Sequence, residues 1–213
     1  MSKTFFISDT HYDDKSKLNF DFGLYRSKFK HVELINQVLI ERWNDTVGDD
    51  DTVYHLGDLT IGNFGRAVEF ISKIKGKIKI LKGNHDRWIE QYYKNEMLAR
   101  KPISASGHCV KIIKDSIIEL DVRKLGIKIP KKIGSNLVVL CHYPIYVWNQ
   151  KGQGAFHIHG HIHGTGNSYR ATLDVSADNH MLKPVQIDKF IEKHYFMWDS
   201  NRVNHNIKLY GYF

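Results

Sequence analysis

The segment KTFFISDTH, residues 3–11, runs from an apolar, β-prone stretch directly into polar side chains. Its TFFIS portion is short, apolar and rich in residues that favour strands, so residues 3–8 are predicted to form a buried strand. Asp9 and His11 then lie at the carboxyl end of that strand. Ligands of α/β proteins bind at this end of the strands, so both side chains are candidates for a functional site.

Strands and helices alternate along the next 75 residues. Apolar residues recur at helical spacing over residues 31–43, and turn residues follow them. A second strand lies in DTVYHLGD, residues 51–58, and a helix is predicted over residues 67–74. A third strand, KIKIL at residues 77–81, runs into GNHD at residues 83–86. This β-α-β-α-β order predicts a largely parallel sheet with its polar residues gathered at one edge.

The second half of the chain contains further β-like segments. CVKII at residues 109–113 and SIIEL at residues 116–120 are predicted to form strands or a hairpin. NLVVL at residues 136–140 precedes His142, and AFHIHG at residues 155–160 precedes His161 and His163. The remaining predictions are a strand in ATLDV at residues 171–175, a short helix over residues 185–194 and a final strand over residues 206–210.

Composition predicts one ordinary globular domain over residues 1–213, because 42% of the residues are hydrophobic and 25% are charged. Cys109 and Cys141 have no paired spacing, and the amino terminus lacks a signal peptide, so a cytoplasmic location is expected. No stretch approaches the roughly 20 apolar residues of a membrane span. The net charge of +8 favours anionic partners, but its lysines are dispersed and form no nucleic-acid track.

Carboxylate, amide and imidazole side chains follow five of the predicted strands in order. Each motif alone has a structural explanation, because DTH, GD and GNHD are all typical of turns. Five such motifs at strand ends are not explained by turns alone, and this mixture of oxygen and nitrogen donors binds divalent metal ions. The candidate ligands are Asp9, His11, Asp58, Asn84, His142, His161 and His163.

The ordered motifs DTH, GD, GNHD, CHYP and GHIH resemble the calcineurin-like metallophosphoesterase family over residues 4–180. The stretches IERWNDTVGDDDTVYHLGD and LCHYPIYVWNQKGQGAFHIHGHIHG are similar to a branch of small phosphoesterases of bacteria and their phages. The resemblance implies an α/β (α+β) fold, a four-layer αββα sandwich with two mixed sheets.

The resemblance also implies two divalent metal ions, with manganese expected and iron, zinc or nickel as alternatives. One ion would be held by Asp9, His11, Asp58 and His163, and the other by Asp58, Asn84, His142 and His161. Asp58 would bridge them. A hydroxide held between the ions would attack the phosphorus of the ester.

His85 is the general acid that the resemblance nominates, because an imidazole with a pKa near 6.5 can protonate a leaving alkoxide. Asp86 or Asp58 is expected to orient its ring. Arg26 and Arg170 are candidates for binding the substrate phosphate, although solvated surface arginines are the alternative interpretation.

Other residues near the motifs are interpreted as structural. His157 and His159 alternate with His161 and are expected to pack or to support the ligands. His55 is expected to be a satisfied core histidine, and Cys141 a small buried apolar residue. Residues 12–14, Tyr-Asp-Asp, depart from the Gly-His that often follows DTH in this branch, so the substrate contacts of this loop stay open.

The function predicted from the sequence is hydrolysis of a phosphodiester of nucleotide type by a metallophosphoesterase. A phosphomonoesterase or a nuclease on the same site is the alternative within enzymes. A non-catalytic interaction scaffold is the alternative outside enzymes. The expected partner is a small phosphate ester or nucleotide rather than a membrane, and the oligomeric state is left open.

Overall fold

A computed structural model describes residues 2–19, 25–94, 101–126, 134–166, 171–188 and 190–191. The strands are β1 Thr4–Ile7, β2 Thr52–His55, β3 Lys77–Leu81, β4 Lys111–Ile113, β5 Ile117–Asp121, β6 Leu137–Cys141, β7 Phe156–His159 and β8 Thr172–Asp174. The α-helices are α1 Val32–Thr46, α2 Phe64–Ile71 and α3 Trp88–Lys94. Helix α2 begins earlier than predicted because the Asn63 side chain accepts a hydrogen bond from the Arg66 amide and caps it. Helix α3 was not predicted.

The first sheet has the order β1-β2-β3-β4, and all three strand pairs are parallel. The carboxyl ends of β1, β2 and β3 therefore lie at one edge. Side chains alternate between the two faces of this sheet. Phe5 and Val53 belong to the core beneath the helices, whereas Phe6 and Tyr54 belong to the core shared with the second sheet.

Helix α1 covers the first sheet with one apolar face. Val32, Ile35, Leu39 and Trp43 recur at helical spacing, and all four are buried. Burial of such side chains stabilises the fold by about 1.5 to 3 kcal/mol each. The indole of Trp43 also donates a hydrogen bond of 3.0 Å to the Lys75 carbonyl, which ties the helix to the segment before β3.

The second sheet has the order β5-β6-β7-β8, in which β5 is antiparallel to β6 and the other pairs are parallel. The alternative of a hairpin in the middle of the chain is wrong. Strand β4 pairs with β3, and β5 pairs with β6, so these neighbours belong to different sheets. Ile112 packs beneath the helices, while Ile118 packs into the core between the sheets.

The two sheets meet over a second apolar core. Phe6 and Leu81 of the first sheet share this core with Val138 and Phe156 of the second. An antiparallel bridge joins Phe6 to Val185, which corrects the helix predicted from residue 185. Residues 186 and 187 are not helical either, whereas helical conformation is seen at residues 188, 190 and 191. Residues 189 and 192–194 of that predicted helix, and the strand predicted over residues 206–210, lie outside the described residues.

The α/β architecture with two packed sheets is confirmed. The second sheet is mixed by its own pairing, and the first acquires an antiparallel neighbour at Phe6. Within the described part of the chain, no helix has the length and apolar character needed to cross a membrane.

Candidate metal centre

The polar residues that follow β1, β2, β3, β6 and β7 converge at one edge of the two sheets. Asp9 and His11 form one group with His163, since one ligand atom from each lies within 4.8 Å of the others. Asp9 Oδ1 lies 3.6 Å from His163 Nε2 and 3.9 Å from His11 Nε2. Two atoms that bind one cation at about 2.1 Å lie about 3.0 to 4.2 Å apart as the angle at the cation opens from about 90° to 180°, so both distances allow a shared metal ion.

Asp9 supplies the clearest sign that an ion belongs here. Its Oδ2 atom accepts hydrogen bonds from the His161 amide at 2.8 Å and the Ser176 hydroxyl at 3.0 Å. Its Oδ1 atom is buried and has no hydrogen-bond partner among the described residues. A buried carboxylate oxygen without a partner is costly, and a cation between Asp9 and the neighbouring imidazoles would satisfy it.

Asp58 lies between this group and the remaining candidates. Its Oδ2 atom is 3.6 Å from His11 Nε2 and 3.5 Å from His142 Nε2. Its Oδ1 atom accepts a hydrogen bond of 2.8 Å from the His85 amide, which fixes the carboxylate. A single carboxylate thus faces two sets of ligand atoms.

The other set is formed by Asn84, His142 and His161. The amide oxygen of Asn84 lies 2.9 Å from His142 Nε2 and 3.1 Å from His161 Nδ1. The structure therefore brings all seven candidate ligands together. Donors of this kind, with no thiolate among them, suit a divalent cation in an open site rather than a closed structural zinc site.

Three imidazoles are oriented by partners on their outer nitrogen. His11 Nδ1 lies 3.2 Å from Asp14 Oδ2, and His163 Nδ1 lies 2.8 Å from Asp178 Oδ2. His142 Nδ1 lies 2.9 Å from the Leu56 carbonyl. In metal sites the second ring nitrogen of a histidine ligand characteristically donates to such an acceptor, which turns the other nitrogen towards the ion.

Asp14 and Asp178 were missed as site residues. Asp14 lies in the loop of residues 12–14 that departs from the related branch, and this departure was its only signal. The hydrogen bond from His11 lowers the pKa of Asp14 despite burial, which acts to raise it. Burial also acts to raise the pKa of Asp178, but the opposite effect of His163 and Arg26 is larger, and the pKa is lowered. Asp14 and Asp178 are therefore both charged at neutral pH.

The charge of Asp9 is likewise secured by its surroundings. Burial alone would raise its pKa, but the neighbouring imidazoles of His163, His142 and His11 outweigh burial and lower the pKa to about 2. Burial and the proximity of His142 lower the pKa of His161, which favours the neutral ring that a metal ligand requires.

The loops that carry the ligands hold strained backbone. Five candidate ligands have a positive φ, between 43° and 71°, namely Asp9, His11, Asp58, His161 and His163. Residues other than glycine seldom adopt this conformation, and each such residue costs of order 1 kcal/mol or more. Strain of this kind persists where surrounding contacts impose it, and it clusters at functional sites.

Two glycines allow the loops to approach one another. A Cβ atom at Gly83 would lie 2.2 Å from Asp58 Oδ1 and 2.4 Å from the Asp58 amide nitrogen. A Cβ atom at Gly160 would lie 2.2 Å from Asp9 Oδ2. Both glycines therefore leave room for a carboxylate of the site.

Asp86 does not orient His85, which corrects one prediction. Its carboxylate is fully buried and accepts hydrogen bonds from the amides of Asp58, Leu59 and Gly83 and from the Trp88 indole. Asp86 instead fastens the loop after β2 to the loop after β3. Burial raises its pKa.

Arg26 does not face a substrate, which corrects a second prediction. The residue is only 1% exposed, and its Nε atom donates to Asp178 Oδ1 at 2.7 Å. The terminal nitrogens donate to the carbonyls of Thr10 at 3.2 Å and Asp9 at 2.8 Å. Arg26 therefore supports the DTH loop from beneath, and Arg170 lies outside the described residues.

His85 is the candidate that faces solvent. Its side chain is 47% exposed, and Nε2 lies 4.0 Å from Asp58 Oδ2. The ring packs edge-on against His11 with a centroid distance of 5.3 Å. An imidazole in this position can reach a substrate bound at the centre without itself being buried among the ligands.

The remaining histidines of the motifs have structural contacts. His55 accepts a hydrogen bond from the Gly57 amide and contacts the Thr10 hydroxyl at 2.9 Å, and burial lowers its pKa to about 3. His157 and His159 are buried and contact backbone carbonyls. Cys141 is buried, as expected.

A site of this composition, open at a sheet edge, belongs to a metal-dependent hydrolase. The chain belongs to the calcineurin-like phosphoesterase family, whose model matches residues 2–165. Membership makes the protein an enzyme that hydrolyses phosphate esters with the help of divalent metal.

Three individual proteins are similar to this chain. An uncharacterized protein of Methanocaldococcus jannaschii is 28% identical over 205 residues, which cover 91% of this chain and 93% of the relative. The Gene 66 protein of Mycobacterium phage L5 is 28% identical over 180 residues, 76% of this chain and 78% of the relative. The crystal structure of a protein of unknown function from Aquifex aeolicus shares the fold, with a TM-score of 0.56 and 18% identity. The match covers 91% of this chain and 99% of the Aquifex chain.

Proposed function

We propose that this protein is a phosphodiesterase that uses two divalent cations, with manganese as the first candidate, to hydrolyse small esters of nucleotide type. Asp9, His11 and His163 would hold one cation, and Asn84, His142 and His161 the other. Asp58 would contact both. The dispersed lysines favour a small ester over nucleic acid as the partner.

The position of Asp58 carries the proposal. Its Oδ2 atom lies within 3.6 Å of an imidazole nitrogen from each group, at His11 and at His142. A carboxylate in contact with both groups is what a paired site requires, whereas two separate ions would each need a carboxylate of their own. Asp9 and Asp58 together offset part of the cation charge.

The reaction needs help at two atoms, the oxygen of the attacking water and the oxygen of the leaving group. Divalent cations, when bound, make water a stronger nucleophile at neutral pH and balance the charge of the phosphoryl oxygens. Water loses a proton to solvent and attacks the phosphorus, the bond to the leaving oxygen breaks, and that oxygen takes a proton from His85, which solvent then restores. Asp58 Oδ2 lies 4.0 Å from His85 Nε2, and this carboxylate would help to orient the ring.

The substrate class is tested with the purified protein, Mn²⁺ and two chromogenic esters. Turnover of bis-p-nitrophenyl phosphate in preference to p-nitrophenyl phosphate, abolished by chelator, is expected. Preference for the monoester would replace the diesterase proposal with a phosphatase. Absence of turnover with every metal, in a folded protein, would favour the non-catalytic scaffold.

The assigned roles are tested by substitution. Asp58→Asn and His163→Ala should abolish turnover in a folded protein. His85→Ala should keep its metal content yet slow esters with poor leaving groups most, because only those need the proton. His31→Ala, at an exposed histidine before α1, is the matched control and should behave as wild type. Equal slowing of activated and unactivated esters by His85→Ala would exclude the general-acid role.

Asn84→Ala separates the two groups of ligands. Loss of one metal equivalent, measured by elemental analysis after dialysis, is expected because the amide oxygen contacts both His142 and His161. Full metal content and activity would show that the second group is misassigned.

A further inference from the structure

Tyr143 places an exposed aromatic ring directly beside the second group of ligands. The residue is 44% exposed although it is a large apolar side chain. Its ring centroid lies 4.8 Å from that of His161 and 4.9 Å from that of His142, and both contacts are edge-to-face. The two imidazoles therefore pack against the ring, while part of it stays open to solvent.

The loop that carries Tyr143 is fixed by buried hydrogen bonds. His157 is fully buried, and its Nε2 atom accepts a hydrogen bond of 3.1 Å from the Ile145 amide, while its Nδ1 atom lies 3.1 Å from the Val139 carbonyl. Farther along, the Trp148 indole donates to the Ala155 carbonyl at 2.9 Å. The ring is thus held in place before any substrate binds, so little ordering entropy opposes its use.

A preordered aromatic ring beside a polar centre favours a planar partner. Aromatic rings prefer stacked or edge-to-face neighbours, and stacking tolerates any planar base because each base presents a π-face. The net charge of +8 also favours an anionic ligand such as a nucleotide.

Building on the proposed function, we infer that Tyr143 determines specificity by stacking on a planar ring of the substrate. The preferred esters then carry a nucleobase or a comparable aryl group next to the phosphate. His157 acts as a positioning residue, because it holds the loop rather than the substrate.

Two substrate pairs test the inference with the Mn²⁺-loaded full chain. One pair is thymidylyl-thymidine and its abasic analogue, and the other is thymidine monophosphate and deoxyribose 5-phosphate. Within each pair the ester bond is the same and only the base differs. Wild type should prefer the base-bearing member in kcat/KM, and Tyr143→Leu should reduce that preference about 5- to 150-fold. Calorimetric binding of thymidine monophosphate and deoxyribose 5-phosphate to the metal-free chain, which does not hydrolyse them, should show the same preference for the base-bearing member.

Further variants separate the ring from the hydroxyl and from the loop. Tyr143→Phe should keep the kcat/KM preference for the base-bearing substrate, and Tyr143→Trp should raise it. If Tyr143→Phe lowers this preference as much as Tyr143→Leu does, the effect belongs to the hydroxyl and stacking is refuted. Tyr146→Leu is the matched control, because Tyr146 is 69% exposed in the same loop but has Lys151 over its ring at 4.4 Å. An equal loss in Tyr146→Leu would assign the effect to the loop and overturn the role of Tyr143.

The outcomes distinguish this inference from the proposed function. Equal turnover of both members of each pair by wild type would refute the role of Tyr143 and leave the hydrolase in place. Failure to hydrolyse any ester would refute the proposed function, and the calorimetric ratio would then decide the role of Tyr143 alone.

Discussion

Asp178→Asn is expected to lower both the free energy of unfolding and the metal affinity, because one carboxylate serves both the buried Arg26 and the candidate ligand His163. Its oxygens lie 2.7 Å from Arg26 Nε and 2.8 Å from His163 Nδ1. Removing one member of a buried ion pair costs about 3 to 5 kcal/mol. Arg26 keeps its bonds to the carbonyls of Thr10 and Asp9, so the lower end, about 3 kcal/mol, is expected. Loss of such an outer partner weakens metal binding about 10- to 100-fold.

The two effects are measured separately. Urea unfolding in excess chelator gives the free energy of unfolding without metal, and competition with a chromogenic chelator gives the Mn²⁺ affinity of the folded protein. Asp121→Asn is the control, since Asp121 also pairs with an arginine, Arg123, but at the surface, and little change is expected. Wild-type stability and wild-type Mn²⁺ affinity in Asp178→Asn would refute the reasoning.

The pH dependence of the Asp178→Asn effect follows from the same contacts. Arg26 and His163 hold the pKa of Asp178 below its usual 3.8 in the folded protein, against the effect of burial. A depressed carboxyl pKa contributes stability that is complete above the unfolded value and is lost as pH falls through the folded value. The stability difference between wild type and Asp178→Asn should thus be constant near neutral pH and shrink in acid below 3.8.

Three further predictions concern packing, protonation and metal. Gly83→Ala should lower the free energy of unfolding, measured with urea, by at least about 2 kcal/mol, because the new Cβ would clash with Asp58. A Cβ at Gly152 would meet nothing within 4 Å, so Gly152→Ala is the control and should match wild type. Equal losses in the two variants would contradict the packing argument. His55 is buried, and burial lowers its pKa to about 3. Below pH 6.5 the unfolded chain binds a proton at this residue that the folded protein does not, so the free energy of unfolding should fall by up to about 1.4 kcal/mol per pH unit towards pH 3. His55→Gln should reduce that slope, and an unchanged slope would exclude His55 as its source. Chelator should lower the melting temperature, and Mn²⁺ at 100 times its Kd should restore about 2.7 kcal/mol; melting that ignores chelator would argue against a native metal site.

The strand ends that build the centre could be predicted from sequence because their signals are local. A short apolar run followed at once by a polar motif marks both the strand and its carboxyl end, as at Asp9, Asp58 and Asn84. The first, parallel sheet follows from the alternation with helices. The division of β4 and β5 between two sheets has no such signal, because an apolar run specifies a strand but not its neighbour.

The supporting residues could not be predicted because their partners are distant in sequence. Arg26 and Asp178 are 152 positions apart, and neither lies in a motif. Asp86 lies within GNHD, yet its hydrogen bonds run to backbone amides of the loop after β2. In the sequence, an arginine or an aspartate near a motif is interpreted as functional only because it is near the motif. The structure shows that the charged ends of these residues are buried, which indicates a structural role.

The centre draws its side chains from both sheets, and this has a consequence for how the chain is held together. Asp9 and His161 are 152 positions apart and touch at the centre. A covalent link that closed a loop of that length would remove about 5 kcal/mol of chain entropy from the unfolded state. The two cysteines are free, so a cation shared by such distant segments would give the protein a reversible tether of the kind that secreted proteins obtain from disulfides.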